Sequence, residues 1–265
     1  MILADLRLAR RLEAAEMRNG MECTQALLRL RPDSGAAALP VAGGYAFYVG
    51  RHSPLTHAIG LGMNGDVRES EVERMEAFFR GRGAGVTVDL CPLADPSLVE
   101  SLALRGYRLV EFNNLLVRPI FPSDAAALPA AVRRARAGEA DLWARTACRG
   151  FFERTDFSHE EMEVGLNIFH MSSAECYLAC GEQGQELAGA AMAVYDGLAA
   201  FFADSTVPEA RGRGLHAALI RARLDTAAAR GCDLAMASTL PGSSSQRNYE
   251  RCGFQVVYTR AILAG

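Results

Sequence analysis

The sequence predicts a mixed α/β (α+β) chain built as two halves, each a mixed, largely antiparallel sheet flanked by helices. Three observations predict it. First, the apolar run Leu198–Ala203 leads into a basic, glycine-bearing loop, and beyond that loop Leu215, Ala218, Leu219 and Ala222 recur at the spacing of one helical face. Second, the order strand, helix, strand, helix, strand occurs before and after residue 120. Leu104-Arg105-Gly106-Tyr107-Arg108-Leu109 echoes Arg251-Cys252-Gly253-Phe254-Gln255-Val256. Third, the stretch from Pro119 to Pro129 holds Pro119, Pro122 and Pro129 among alanines, the composition of a connector. The expected division is 1–120, a linker over 121–130, and 131–265.

In chain order, residues 8–30 read as a helix or a pair of helices, Arg-rich and broken near Asn19-Gly20. Tyr45–Val49 is a strand, and His57–Met63 a second one interrupted by glycines. A helix is expected over Glu69–Arg80, closed by Gly81 and Gly83. Val86–Leu90 is a strand, Ser97–Arg105 a short helix after Asp95-Pro96, and Arg108–Val117 one or two strands. After the connector, Ala131–Ala137 is expected as the first strand of the second half. Glu139–Phe152 then forms an amphipathic helix carrying the only tryptophan, Trp143. Ser158 followed by Glu161 is a capping box for a further helix carrying Met162, Leu166, Phe169 and His170. Glu175–Cys180, Leu187–Tyr195 and Leu198–Ala203 form an antiparallel meander with glycine turns. Its Ala-rich middle strand implies close approach by a neighbouring layer. The helix after the loop runs to Arg230 and stops at Gly231.

Composition narrows the function. A net charge of -3 supplies no global positive field to recruit nucleic acid or anionic lipid. Half the residues are apolar, enough for a buried core. All 28 basic residues are arginine. The seven cysteines are scattered without a C-x-x-C pair, and no His cluster gives a zinc spacing, so reduced thiols and no metal are expected. The N-terminus lacks the apolar stretch of a signal peptide, and no window approaches a membrane span. A cytoplasmic protein is expected.

The loop Ser205–His216 is suited to an anion. The first amides of a helix have no intrahelical partner and sit at the positive end of its dipole. Gly212 and Gly214 permit close backbone approach, and Arg211 and Arg213 add charge on the same side, so a pyrophosphate suits the loop. A flexible βα connection with no ligand is the plainer reading. Gly212–Ala217 also spells the dinucleotide variant G-x-G-x-x-A, with Asp233 at nearly the expected distance. Too little chain follows, however, for the rest of a doubly wound sheet.

Arg211-x-x-Gly214, preceded by Val207-Pro208 and followed by a helix and a strand, resembles the acetyl-CoA loop of the GNAT superfamily of N-acetyltransferases, whose pattern is Q/R-x-x-G-x-G/A. Downstream, Ser245–Phe254 resembles the family's closing motif, in which a tyrosine lies four residues before Gly-Phe on the last helix; here that residue is Tyr249. The resemblance spans roughly residues 130–265. It implies acetyl-CoA as co-substrate, with its pyrophosphate on Arg211, Gly212, Arg213, Gly214, Leu215, His216 and Ala217. The pantetheine arm would align along the backbone of Asp204, Ser205 and Thr206. Tyr249 is implied as proton donor to the departing thiolate. Asp204 is the first choice for general base, with Glu209 or a water relay as alternatives. His216 departs from the pattern, standing where the family has a small residue. Phe151, Phe152 and Phe157 either border the acceptor site or pack in the core.

In the first half, Asn64–Glu69 occupies the place of the anion loop but carries two acids and no R-x-x-G-x-G, and Leu102 stands where the second half has Tyr249. That half is expected to be a degenerate, GNAT-like copy. The resemblance thus implies an N-acetyltransferase acting by direct transfer on a primary amine of a small molecule or peptide, as a monomer or homodimer. The alternative is a non-catalytic acyl-CoA sensor or interaction module.

Overall fold

The computed structural model describes residues 2–125 and 131–265, so residues 126–130 of the expected linker lie outside the described residues. In order, the elements are α1 (Leu6–Leu30), β1 (Ala37–Val41), β2 (Gly44–Tyr48), β3 (His57–Ile59), α2 (Glu69–Arg80), β4 (Thr87–Leu90), α3 (Pro96–Leu104) and β5 (Arg108–Pro119). They continue as β6 (Val132–Arg134), α4 (Ala140–Phe152), α5 (His159–Phe169), β7 (Glu175–Cys180), β8 (Glu186–Tyr195) and β9 (Leu198–Thr206). The chain ends with α6 (Leu215–Ala229), β10 (Leu234–Thr239), α7 (Ser244–Arg251) and β11 (Gln255–Ala264). It divides into two compact units, Met1–Leu115 with Val256–Gly265, and Leu116–Gln255. The last strand thus groups with the first unit, whereas the expected division left it in the second half.

In the first unit the strand order is β1-β2-β3-β4-β11-β5. β3 and β4 run parallel, while β1 with β2, β2 with β3 and β4 with β11 run antiparallel. The break expected near Asn19-Gly20 is absent, and α1 is one helix capped by Asp5, whose carboxylate accepts from Leu8 N at 2.7 Å. Gly20 serves packing instead. A Cβ there would lie 2.4 Å from the Phe47 ring, so the missing side chain lets the helix seat on β2. The start of α2 is closed by its own carboxylate: Glu71 Oε2 accepts from Arg68 N at 3.2 Å and Oε1 from Ala42 N at 3.1 Å. A polar layer lies within this unit. Glu13, fully buried, accepts from Tyr258 at 2.8 Å and from Arg260 Nε at 2.9 Å, while His57 Nδ1 meets Asp89 at 3.1 Å.

In the second unit β7, β8 and β9 form the expected antiparallel meander, β6 adds antiparallel to β7, and β10 adds parallel to β9. β8 is buried almost throughout, and its small residues let layers approach from both sides. Trp143 of α4 sits over Gly189 and donates from its indole N–H to the Tyr177 carbonyl at 3.1 Å. On the other face α6 and α7 pack through Leu219, Ile220, Ala227 and Tyr249. β6 is shorter than expected, three residues, and a 3-10 turn at Ala137–Glu139 follows it.

Candidate functional site

The site is prepared by an irregularity in β9. Its pairing with β8 shifts register between Gly189 and Ala191, and Ala203 takes a left-handed φ of +56°. This is a β-bulge, which bends a strand and re-aims its side chains. On its other edge, β9 pairs with β10 only from Leu198 to Phe201. Residues 202–206 therefore extend past the paired register and present a strand edge. Behind them α4 packs closely: a Cβ on Gly150 would lie 2.0 Å from Ser205 Oγ and 2.8 Å from Thr206 N, and Ser205 Oγ donates to Ala147 O at 2.6 Å.

The chain then turns through Pro208–Ala210 into the glycine loop. Gly212 and Gly214 both have φ +78°, a conformation that costs residues with a Cβ about 1–2 kcal/mol. Open space lies where their side chains would stand, and residues 211–214 are exposed. Gly214 is the N-cap of α6 and supplies no side-chain cap. The start of α6 thus offers uncapped amides at the positive end of a fifteen-residue helix. Leu215 is buried and anchors the helix, His216 and Ala217 are half-buried, and Arg213 is exposed. Arg211 turns back towards α4. It meets Glu153 at 2.6 Å and Gly150 O at 3.1 Å, while Arg149 meets Glu209 at 2.6 Å.

Beside the loop lies a buried charged cluster. Asp204 accepts from the Tyr249 hydroxyl at 2.6 Å and pairs with the guanidinium of Arg223, which is fully buried. Arg223 also donates to Ala191 O at 3.0 Å, reaches Tyr249 Oη at 3.4 Å, and lies over the Phe201 ring at 4.5 Å. His216 Nε2 is 3.2 Å from Asp204 Oδ1, an ionic contact short of hydrogen-bond alignment. Its Nδ1 faces the Asn248 amide nitrogen at 3.1 Å. Burial alone would raise the Asp204 carboxyl, but the charges of Arg223 and His216 outweigh it and hold the group well below the usual carboxylate range. Burial pushes the Tyr249 phenol well above the usual tyrosine value, with Arg223 opposing and Asp204 adding.

This geometry bears on each expected residue. The expected loop residues 211–217 lie together at the start of α6, with Ser205 and Thr206 on the adjoining strand edge, and the His216 and Tyr249 rings are 5.5 Å apart. Asp204 is poorly suited to act as a base, since an anion so strongly paired with Arg223 has little affinity for a proton. Tyr249 is 1% exposed with its proton directed at Asp204, so serving a thiolate requires its hydroxyl to turn. The sequence reading missed Arg223. Its signal was present: Leu215, Leu219, Arg223 and Ala227 follow at intervals of four, a charge set in an apolar ridge. A cleft of about 660 Å³ lined by Arg134, His170, Glu175 and Arg230 lies at the other end of α6. It is separated from the loop by about 22 Å of helix. Among the described residues no group of His, Cys, Asp and Glu could hold a metal ion, and no helix is long and apolar enough to cross a membrane.

Residues 141–254 match the acetyltransferase (GNAT) family. Among solved structures, the fold is similar to a GCN5-related N-acetyltransferase from Kribbella flavida, with 21% identity, TM-score 0.67, and 97% of this chain and 95% of that one covered. It is also similar to a tandem GNAT protein from the clavulanic acid biosynthesis pathway, with 12% identity, TM-score 0.61, and 92% and 87% covered. A third likeness is to a GCN5-related N-acetyltransferase from Sphaerobacter thermophilus, with 16% identity, TM-score 0.55, and 74% and 66% covered. A comparison with curated protein sequences found no match.

Proposed function

We propose, since residues 141–254 belong to the acetyltransferase (GNAT) family, that this chain moves an acetyl group from acetyl-CoA to a primary amine of a small molecule or peptide by direct transfer. One observation carries the reading: an uncapped, exposed helix start, a strand edge left past its paired register, and Tyr249 adjoin one another in a single unit. Bound acetyl-CoA supplies the acyl group and the thiol leaving group. The amides of residues 212–217 hold its pyrophosphate, Arg213 adds charge, and the backbone of Asp204, Ser205 and Thr206 aligns its arm as an added strand does. Arg211 supports the loop through Glu153 and Gly150 rather than reaching for phosphate.

Transfer joins the amine nitrogen to the acyl carbon and releases sulfur as a thiolate. Tyr249 stays a phenol at working pH and donates its proton to that sulfur once its hydroxyl turns from Asp204, with Arg223 beside it to offset the negative charge left on oxygen. Asp204 remains an anion that fixes Arg223 and Tyr249, and the proton lost by the amine leaves through water. The first unit has no comparable glycine loop before α2, and Asn64–Glu69 there carries two acids, so the cofactor is assigned to the second unit. The free thiols and the charge balance fit a cytoplasmic enzyme, monomeric or homodimeric.

The test is calorimetry with CoA, paired with thiol release from acetyl-CoA across a panel of amines. Micromolar binding and turnover of at least one amine are expected; absence of heat and of competition by acetyl-CoA overturns the reading. A second reading, a non-catalytic acyl-CoA sensor, is favoured by the closed hydrogen bond between Tyr249 and Asp204. It predicts binding heat without thiol release on any amine.

A further inference from the structure

Helix α4 ends at Phe152, and Glu153 leaves it at φ +54°, turning the chain towards α5. In that turn the rings of Phe152 and Phe157 stand 6.1 Å apart. The Arg154 guanidinium lies 5.4 Å from the first ring centre and 5.5 Å from the second. One cation is thus held against two aromatic faces, each within the roughly 6 Å at which a ring quadrupole attracts it. The site is open: Phe152 is 43% exposed, and Phe151 next to it 58%. The adjoining stretch carries Glu153, Asp156, Glu160, Glu161 and Glu163; even with Glu153 paired to Arg211 and Glu161 to Arg154, acids remain in excess, a local field that draws cations. Arg154 is further tied to Glu161 and to the Asp156 carbonyl. Glu153, which follows Phe152, pairs with Arg211 of the glycine loop, so the end of α4 lies beside that loop.

We propose that Phe152 and Phe157 recognise a cationic group of the acceptor, and that Arg154 is the intramolecular cation it displaces. The proposal rests on the acetyltransferase reading and names its substrate class. The attacking nitrogen has to be neutral, so it cannot be the group held between the rings. The acceptor is therefore a diamine or polyamine, bound by one ammonium and acetylated at the other end. The reacting nitrogen gives one proton to water as the N–C bond forms and the C–S bond breaks, the thiolate takes one proton, and the distal ammonium is unchanged.

Thiol release is measured at saturating acetyl-CoA with 1-aminobutane and with 1,4-diaminobutane, folding being followed by Trp143 fluorescence. The expected kcat/KM favours the diamine about threefold to fivefold, the size of an exposed cation–π contact. Phe152→Ala and Phe157→Ala each reduce that ratio severalfold, and Arg154→Ala lowers KM for the diamine by removing its competitor. Equal rates for the two amines, a ratio that survives both Phe variants, or an unchanged or raised KM in Arg154→Ala overturns the proposal. If CoA binds but neither amine turns over, the calorimetric heat of 1,4-diaminobutane decides. Heat that Phe152→Ala abolishes sustains the cation site, and absence of heat overturns it. Failure of CoA itself to bind is the separate failure of the acetyltransferase reading.

Discussion

Replacing Arg223 by methionine tests the charged cluster most directly. The guanidinium is fully buried and faces Asp204, Tyr249 and the Ala191 carbonyl, so its loss leaves a largely buried carboxylate with Tyr249 and His216 beside it. Removing one partner of a buried ion pair costs about 3–5 kcal/mol. With a urea slope of about 2 kcal/mol/M for a unit of this size, the midpoint falls by about 2 M. The single tryptophan, Trp143, is buried in the second unit, so its fluorescence follows that unit's unfolding. The pH dependence carries a sign. In the native protein the Asp204 carboxyl is depressed below its unfolded value, so its contribution is complete above about pH 4 and is lost as pH falls towards the folded value. Without Arg223, burial dominates and raises the group, so the variant gains stability relative to the native protein as the medium becomes acidic. Asp204→Asn combined with Arg223→Met should cost less than the two single changes summed, a coupling of more than about 1 kcal/mol. A midpoint shift below about 0.5 M at pH 7, or strict additivity in the double variant, refutes the argument that the pair is mutually dependent.

Tyr249→Phe keeps the ring packing and removes only the hydroxyl; kcat should drop about a hundredfold with little change in the CoA dissociation constant, both readable from steady-state and calorimetric titrations. Gly214→Ala places a Cβ at φ +78°, a strain of about 1 kcal/mol, so CoA affinity should weaken roughly fivefold as the helix start shifts. In the first unit, burial opposes protonation of His57, but the carboxylate of Asp89 outweighs it and raises the imidazole. That stabilisation is complete below about pH 6.5 and is lost as pH rises through the folded value. Protection factors of α1 and β4 amides, corrected for base-catalysed intrinsic exchange, should therefore fall as pH rises above about 6.5, and His57→Gln should flatten that trend.

What the sequence disclosed was local in the chain, and what it hid depended on distant partners. Gly212, Gly214 and the apolar ridge of α6 lie within one turn and one helix, so spacing alone located the loop. Tyr249 stands at a fixed offset from Gly253-Phe254. Arg223 meets Asp204 across nineteen residues and Tyr249 across twenty-six, and no periodicity announces such pairs. The bulge in β9 is equally silent, because one residue out of register leaves an apolar run unchanged. Gly20 misled in the opposite sense: a residue that lowers helix propensity lies inside a continuous helix because Phe47 needs its missing Cβ. β1 was missed for its composition, since Ala37–Val41 includes Pro40, a residue that sheets accept at an edge.

The two units treat the same structural position in opposite ways, and the contrast argues for where a ligand belongs. Each contains a strand, then a turn, then a helix followed by a parallel partner strand: β3, α2, β4 in the first unit and β9, α6, β10 in the second. A helix start without a cap forgoes about 1 kcal/mol. The first unit recovers part of that internally: Glu71 reaches back to the Arg68 amide, and that bond is the main cause holding its carboxyl below the usual range. The second unit leaves the deficit standing, with two left-handed glycines where a capping side chain could stand and open space around them. An anion from solution would relieve such a deficit on arrival, so under the proposed function binding energy is expected at α6, where glycines and open space surround the helix start, and not at α2.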